Sequence, residues 1–345
     1  MKGKMKAIIK DSPRVGAKLV EVDIPQIGPN DILVKVKATS ICGTDFHIYN
    51  WDAWSQARIK TPQIMGHEFA GEIVEMGENV KTLKIGDNVS AETHVVCETC
   101  EQCKMGQGHI CSNTKILGVD RDGAFAEYVA IPATNAWLND KAVPFANQSI
   151  QEPLGNAVYT VLSGEVVAKT VIVYGCGAIG LMAIAVAKAA GAAAVYAVDI
   201  SPYRIELAKK MGATKVYNSK DVDVVAEIMK ETEGMGVDVV CEISGAPACL
   251  RQSLDVVKKG GRISILGIPT KDVELDINKI VFKGIHIMGI TGREMYRTWF
   301  QIKGLFRSGQ LNLDPVITHT FPLEDFEKGM ELMAKGECGK VVLIP

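Results

Sequence analysis

The chain has 345 residues, of which 47% are hydrophobic and 23% are charged, and its formal net charge is −2. This length predicts about two domains, and the near-neutral charge argues against nucleic acid or an anionic membrane surface as a partner. The basic start, residues 1–10, is followed by no long apolar region, so we expect no signal peptide.

Up to about residue 153 the pattern predicts a β-rich domain with long loops. Short apolar or alternating runs are separated by turns rich in Gly, Pro, Asn and Asp. No internal repeat or low-complexity segment interrupts them. The predicted strands are 32–38, 70–74, 87–90 and 126–130.

Four of the nine cysteines fall within residues 95–111, with the spacing C-x2-C-x2-C-x7-C: Cys97, Cys100, Cys103 and Cys111. We expect a cytoplasmic protein, and since cytoplasmic thiols stay reduced, such a cluster favours a metal over disulfides. Four thiolates complete the tetrahedral shell of a zinc ion and leave no open position, so this site is predicted to be structural. An iron–sulfur cluster is the alternative, because spacing alone does not determine the metal.

A second set of metal-binding residue types is scattered along the chain: Cys42, His67, Glu68 and Glu152. Taken singly they indicate little, since a lone cysteine or histidine is more often a buried structural residue. Taken together they offer a thiolate, an imidazole and carboxylates. Three protein ligands with one open position are typical of a catalytic zinc, which lowers the pKa of a bound alcohol.

Near residue 155 the pattern changes to alternating strands and helices, which predict a parallel sheet. The predicted strands are 170–174, 194–198, 237–241, 262–266 and 285–290, with helices after the first and second of them. Ser201 caps the second helix, which runs to about Met211. The apolar run 180–198 is interrupted by Lys188 and Gly191 and belongs to this unit, not to a membrane span.

Gly175, Gly177 and Gly180 lie between the first of these strands and its helix, with the spacing of a dinucleotide-binding turn. Such glycines allow a close approach of pyrophosphate to the helix N-terminus. Asp199 ends the next strand and can accept the ribose hydroxyls, which favours NAD over NADP. Arg204 either softens that preference or is a solvated helix charge. The alternative is a glycine-rich turn in a flavodoxin-like sheet that binds no dinucleotide.

The stretch Gly66-His67-Glu68-x-x-Gly71, followed by Gly77 and Val80, resembles the signature of the zinc-containing medium-chain alcohol dehydrogenases. The four-cysteine lobe and the glycine-rich turn match that family in order and spacing, and the resemblance covers essentially the whole chain. It implies a GroES-like β-rich catalytic domain, residues 1–154 and 293–345, with an inserted Rossmann NAD-binding domain, residues 155–292. The predicted strands 312–321 and 340–344 would then rejoin the first domain.

The resemblance also implies roles for single residues. Cys42 and His67 are ligands of a catalytic zinc that holds the substrate alkoxide, and Glu68 is a ligand in some zinc states. Glu152 ligates directly or acts through a zinc-bound water. Thr44 and His47 match a proton relay that runs through the nicotinamide ribose to solvent, although His47 alone would suggest a solvated loop histidine. NAD contacts are implied, besides the glycine turn, for Ile179, Leu266, Gly267, Ile268, Ile290 and Thr291, whose alternative role is strand-end packing.

Within the family, the stretches 42–56 and 292–300 resemble the branch that oxidises L-threonine at its 3-hydroxyl to 2-amino-3-oxobutanoate. Arg293 is then a candidate partner for the substrate carboxylate, with a structural arginine as the alternative. A polyol or 2,3-butanediol dehydrogenase is the nearest rival, and a non-catalytic zinc- and nucleotide-binding protein is a more distant one. The resemblance further implies two zinc ions per chain and, by analogy, a homotetramer.

Overall fold

The computed structural model describes all residues from Met1 to Pro345 and divides into two compact units. The first unit comprises Met1–Pro153, Ile317–Gly336 and Lys340–Pro345, and the second comprises Leu154–Val316 and Glu337–Gly339. The chain thus returns to the first unit at Ile317, whereas the sequence suggests residue 293. No helix combines the length and the apolar character that a membrane crossing requires.

The strands are numbered in chain order: β1 (Lys4–Lys10), β2 (Lys18–Asp23), β3 (Asp31–Ser40), β4 (Gln63–Ile64), β5 (Glu68–Met76), β6 (Asn88–Ala91), β7 (His94–Val95), β8 (Lys115–Ile116), β9 (Tyr128–Pro132), β10 (Ala136–Leu138), β11 (Thr170–Tyr174), β12 (Ala194–Asp199), β13 (Lys215–Asn218), β14 (Val237–Glu242), β15 (Val257–Ile265), β16 (His286–Gly289), β17 (Ile317–Pro322) and β18 (Lys340–Ile344).

The α-helices are α1 (Gly43–Asn50), α2 (Ala53–Arg58), α3 (Glu101–Lys104), α4 (Phe145–Ser149), α5 (Gln151–Leu162), α6 (Ala178–Ala189), α7 (Pro202–Lys210), α8 (Val224–Glu231), α9 (Pro247–Val256), α10 (Ile277–Lys283), α11 (Arg297–Ser308) and α12 (Phe326–Lys335). Short 3-10 helices lie at Gly108–Ile110, Ala133–Asn135, Asp314–Val316 and Leu323–Asp325.

The first unit is built around a seven-stranded sheet with the order β10-β6-β5-β3-β18-β17, in which β9 also pairs with β3. Strand β3 is central, and the pairing at its C-terminal end determines which residues of β5 and β18 lie beside it. Ser40 lies opposite Glu68 of β5 on one side and opposite Val342 of β18 on the other. The sheet therefore brings the start of β5 and the C-terminal strand to the end of β3.

Two predicted strands of this unit are shifted in the structure. Strand β9 begins at Tyr128 because Ala126 and Glu127 instead contact β1, through a bridge to Ala7 and a hydrogen bond from the Glu127 N–H to the Lys6 carbonyl (3.1 Å). The strand expected at 312–321 begins only at Ile317, after a 3-10 turn that contains a proline. Proline has no N–H to donate to a ladder, so it delays the start of the strand.

The second unit contains a parallel six-stranded sheet with the order β13-β12-β11-β14-β15-β16. This is the strand order of doubly wound dinucleotide-binding folds, in which ligands bind at the carboxyl ends of the strands where the order reverses. The reversal lies between β11 and β14, and β11 leads directly into the glycine-rich turn. The α/β fold class predicted from the sequence is therefore confirmed.

Candidate active site

Helix α1 holds the first residue of the catalytic site at its start. Cys42 is the N-cap of α1 and has an extended backbone, and its N–H donates to Oδ2 of Asp45 (2.9 Å). Asp45 is fully buried, and its Oδ1 accepts from the N–H of Gly66 (3.2 Å) and lies 3.7 Å from Nδ1 of His67. One buried carboxylate thus connects the segments that carry Cys42 and His67.

Gly66, directly before His67 and Glu68, occupies a position that only glycine fits. Its φ of +86° lies in the left-handed region, and a Cβ at this position would fall 2.1 Å from the ring of Phe125. A larger residue would be both strained and sterically blocked. The glycine of the family signature therefore has a packing reason at this position.

Cys42, His67 and Glu68 form a group whose potential ligand atoms lie within 4.8 Å of one another. Nδ1 of His67 is buried, makes no hydrogen bond and lies 3.7 Å from Oδ1 of Asp45. A carboxylate beside the second ring nitrogen is typical of a metal-binding histidine. Burial lowers the pKa of His67, but the charges of Asp45 and Cys42 raise it well above its usual value overall. The field at this point favours a cation, and the donor set fits zinc.

Glu68 is held by partners on two neighbouring strands. Lys340 of β18 donates from Nζ to both carboxylate oxygens, at 2.6 Å to Oε1, and also to the carbonyl of Ile41 (2.9 Å). Ser40 of β3 donates to Oε2. Burial lowers the pKa of Lys340, but Glu68 and Cys42 raise it above its usual value, so this buried ammonium stays charged.

Glu152 lies in the first turn of α5 and is buried, and its Oε1 accepts from the Thr93 hydroxyl (3.3 Å). It interacts electrostatically with Glu68 and Lys340, although it is outside the group of residues whose ligand atoms lie within 4.8 Å of one another. These electrostatic interactions support its predicted position near the metal site, while direct ligation of the metal stays a prediction.

The predicted relay residues lie on one face of α1, three positions apart. Thr44 is half-buried and His47 is exposed, so the two lead from the interior toward solvent. Nδ1 of His47 lies 2.5 Å from Oδ2 of Asp52, the N-cap of α2. Their roles in proton transfer stay a prediction.

The four cysteines of the predicted structural zinc site lie together in the structure. Cys97, Cys100, Cys103 and Cys111 have sulfur atoms within 4.8 Å of one another. The sulfur–sulfur distances of 3.5 Å for Cys111 to Cys97 and 3.8 Å for Cys100 to Cys111 are much longer than the roughly 2.05 Å of a disulfide. All nine cysteines of the chain are free thiols.

Hydrogen bonds prepare this cluster for a cation. Donors on Thr99, Asn113 and the Cys100 backbone lower the pKa of Cys97 to about 5, so it is a thiolate at neutral pH. Burial and the neighbouring thiols raise the pKa of Cys103 to about 12. Thiolates this close repel one another, and a divalent cation at their centre offsets the repulsion. The closed donor set fits a structural zinc.

The nucleotide site lies at the carboxyl end of β11. Gly177 is the N-cap of α6 and has no side-chain cap, which leaves the first N–H groups of the helix available to phosphate. Oδ2 of Asp199, at the end of β12, accepts from the Cys176 N–H (2.7 Å), and Oδ1 accepts from Ile200 and Ser201. Asp199 therefore orients the turn, while its contact with a ribose stays a prediction.

The other predicted NAD contacts lie at the same edge of the sheet, because parallel strands end together. Leu266, Gly267 and Ile268 follow β15, and Ile290 and Thr291 follow β16. Ile268 and Thr291 are exposed, while Ile290 is buried and Ile179 half-buried. Arg204 lies in the first turn of α7 with a buried Nε that makes no hydrogen bond. Their contacts with NAD stay a prediction.

Arg293, the candidate partner for the substrate carboxylate, packs against helix α5. It is fully buried, and its Cδ would lie 2.7 Å from a Cβ built on Gly155, so it fills the space that this glycine leaves. Its Nη1 is 3.5 Å from Oδ1 of Asn156. Its packing against Gly155 supports the structural alternative, while a role toward the substrate carboxylate stays a prediction.

The sequence pattern does not single out Ser40, Asp45 or Lys340, although they hold the ligand residues. Asp45 had a local signal, because Cys42-Gly-Thr-Asp45 has the spacing of a capping box, with cysteine in place of serine. Lys340 had none, since it is 272 residues from Glu68 in the chain.

The chain matches two family descriptions that together cover most of its length. Residues 28–141 match the alcohol dehydrogenase GroES-like domain, and residues 178–306 match the zinc-binding dehydrogenase family. These matched segments contain the four-cysteine cluster, Cys42, His67 and Asp199.

Curated relatives extend this similarity over the full length. The chain is 59% identical over 347 residues to the L-threonine 3-dehydrogenase of Caldanaerobacter subterraneus subsp. tengcongensis, with 100% of both proteins covered. It is 55% identical over 346 residues to the L-threonine 3-dehydrogenase of Bacillus licheniformis, again with 100% of both covered. Among solved structures, the 2R,3R-butanediol dehydrogenase of Bacillus subtilis has a TM-score of 0.91 at 32% identity, with 99% of each chain covered.

Proposed function

This chain belongs to the zinc-binding alcohol dehydrogenase family with a GroES-like domain, and from that premise we propose that it oxidises L-threonine at the 3-hydroxyl with NAD. The product is 2-amino-3-oxobutanoate, with one hydride transferred to the nicotinamide and one proton released. The observation that carries the proposal is full-length identity of 52–59% to threonine dehydrogenases, together with the grouped Cys42, His67 and Glu68.

Two groups supply the reactive chemistry when bound: zinc polarises a hydroxyl as a Lewis acid, and NAD accepts hydride. Cys42 and His67 are the proposed zinc ligands, and Asp45 orients both through its two oxygens. Glu68 is held by Lys340 and Ser40, and Glu152 adds a further buried carboxylate nearby. In the second unit, Asp199 and the first turn of α6 are the proposed NAD partners.

We assign the departing proton to Thr44 and His47. The half-buried hydroxyl of Thr44 and the exposed imidazole of His47 share a face of α1, which gives the proton a short path outward. A histidine suits this task because its imidazole can take up a proton on one side and release it to solvent.

We favour L-threonine over other secondary alcohols as the substrate because two relatives matched over their full length, at 59% and 55% identity, are named L-threonine 3-dehydrogenases. A 2,3-butanediol or polyol substrate remains the second candidate, since the butanediol dehydrogenase of Bacillus subtilis has nearly the same fold. The identity of 32% to that enzyme, against 59% to a threonine dehydrogenase, separates the two candidates.

A substrate panel tests this assignment. NADH or NADPH formation is measured with L-threonine, L-serine, sorbitol and 2,3-butanediol, each with NAD or NADP, and total zinc is measured per chain. We expect the highest kcat/KM with L-threonine and NAD, and two zinc ions per chain. A higher kcat/KM for sorbitol or 2,3-butanediol would select the rival function.

We also propose that the chain acts as a cytoplasmic homotetramer. Strand β16 is an edge of the parallel sheet, and the neighbouring surface of the second unit exposes apolar side chains: Ile277, Val281, Phe282 and Ile287. Phe282 is 81% exposed, and several exposed apolar side chains on one surface are typical of an interaction site, whereas a single one is not. A second copy of this chain, with the same edge and the same apolar residues, is the proposed occupant.

A further inference from the structure

We infer that Asp52 is a positioning residue for the proton relay, because its carboxylate holds Nδ1 of His47 and leaves Nε2 as the atom that takes the proton. The inference deepens the proposed function and rests on it. The observation is the 2.5 Å contact between His47 Nδ1 and Asp52 Oδ2.

The carboxylate of Asp52 is itself anchored. Its second oxygen, Oδ1, caps α2 by accepting from the Ser55 N–H (3.0 Å). One oxygen therefore belongs to the helix start and the other to His47. Because the cap determines where the carboxylate lies, it also determines where the imidazole is held.

The turn between α1 and α2 brings Asp52 back to His47. Trp51 ends α1 in the left-handed region, with φ of 55°, so the chain reverses within one residue. Lys10 stabilises that reversal. Its Nζ donates to the carbonyls of Gly16 (2.8 Å) and Tyr49 (3.1 Å), and it lies 5.1 Å from the centre of a Trp51 ring. The geometry of the pair thus depends on packed parts of the first unit.

The contact decides which ring nitrogen can act as a base. A carboxylate only accepts hydrogen bonds, so Nδ1 of the neutral ring carries the proton and Nε2 has the free lone pair. Trp54 packs against the same ring, edge to face, with centroids 6.4 Å apart, and limits its rotation. Backbone and side-chain hydrogen bonds from Ser55 and His47 also lower the pKa of Asp52, which keeps it an acceptor.

Orientation, not binding energy, is the consequence of this pair. The side chains of His47 and Asp52 are 59% and 37% exposed, and an ion pair so exposed contributes little to stability. A substitution at Asp52 should therefore change the rate of proton transfer more than the stability of the protein.

Asp52→Asn tests the inference directly. Asparagine is as good a helix cap as aspartate, so its side-chain oxygen can still accept a hydrogen bond from the Ser55 N–H. Its NH2 group then faces His47. The amide donates where the carboxylate accepted, so the ring must place its proton on Nε2 and loses the lone pair it needs. We expect the burst rate of NADH formation to fall about 10- to 100-fold, with KM for threonine within about twofold.

Asp52→Ser is the matched control for the helix cap. Serine caps α2 but is too short to hold His47, so the ring is released without being forced into the other tautomer. The expected burst rate lies between those of the native protein and Asp52→Asn. A rate for the serine variant below that of the asparagine variant would contradict the tautomer argument.

Nitrogen-15 NMR of histidine-labelled protein gives a readout that a purely structural role would not change. The chain has six histidines, and the His47 signals are those that disappear in His47→Asn. We expect the protonated nitrogen of neutral His47 to be Nδ1 in the native protein and Nε2 in Asp52→Asn.

The outcomes separate this inference from the proposed function. A normal burst rate in His47→Asn would overturn the relay itself. A slow His47→Asn together with a normal burst rate in Asp52→Asn, or an unchanged tautomer in that variant, would overturn the role of Asp52 and leave the relay standing.

Discussion

Lys340 is a residue whose charge is stable only because of its partners. It is 2% exposed, and its ammonium donates to Glu68 and to the carbonyl of Ile41. Taking a charge out of water costs several kcal/mol, which the attraction of a well-placed opposite charge offsets. Removing one member leaves the other as an uncompensated buried charge.

At the residue scale we therefore predict that Lys340→Met destabilises the protein strongly. The free energy of unfolding, measured in urea, should fall by about 3–5 kcal/mol. The control is Lys6→Met, which removes a bridge to Glu324 between side chains that are 50% and 45% exposed, and should leave the urea midpoint unchanged within error. Equal effects of the two variants would contradict the importance of burial.

The turn between β11 and α6 shows two glycines with different physical reasons. A Cβ on Gly180 would lie 1.8 Å from the carbonyl oxygen of Gly175, so the protein itself excludes a side chain there. A Cβ on Gly177 would meet nothing within 4 Å. The space at Gly177 is therefore open in the folded chain, and only a bound pyrophosphate would need it.

At the element scale we predict that substitutions at these two glycines have different effects on stability and on NAD affinity. Gly177→Ala should keep the native urea midpoint but weaken NAD binding, measured by calorimetry, by about tenfold, equivalent to ~1.4 kcal/mol. Gly180→Ala should lower the urea midpoint as well as the NAD affinity, because the backbone must move to make room for the added methyl group. Gly304→Ala in α11, at an exposed position with open space, is the matched control and should change neither quantity adversely. An unchanged NAD affinity in Gly177→Ala would show that the pyrophosphate does not bind at this turn.

The whole molecule contains two metal sites of opposite design. The cluster of Cys97, Cys100, Cys103 and Cys111 has four like donors and no position for a substrate. The site of Cys42, His67 and Glu68 has mixed donors, with the buried Asp45 beside the first two and Lys340 bonded to Glu68. A closed site contributes to folding, whereas a site with an open position can contribute to catalysis.

At this scale we predict opposite effects of two cysteine substitutions. Cys100→Ser should reduce zinc from two ions to one per chain and lower Tm by about 5 °C or more. Cys42→Ser should also lose one zinc, with a smaller change in Tm but almost no threonine oxidation. Zinc analysis, thermal unfolding and turnover per folded molecule measure the three quantities. Loss of turnover without loss of stability in Cys100→Ser would reverse the assignment.

Local patterns in the sequence predicted most of the parallel sheet. Strands β11 and β12, the glycine turn and the Ser201 cap lie where the pattern indicates them, because buried strands and helix starts have strong short-range signals. Strand β9 and the start of β17 were shifted, because a bridge to β1 and a proline turn decided those boundaries. Short-range propensity does not include such partners.

The sequence by itself determined the residue types and spacings that chemistry requires: four clustered cysteines, the glycine turn with Asp199, and the signature around His67. The tertiary structure alone decided which side chains hold these residues and which candidates are packed into the interior. It joined Lys340 to Glu68 across the sheet and buried Arg293 against Gly155. Burial and long-range pairing depend on how distant strands meet, and that information is spread over the whole chain instead of any one segment of it.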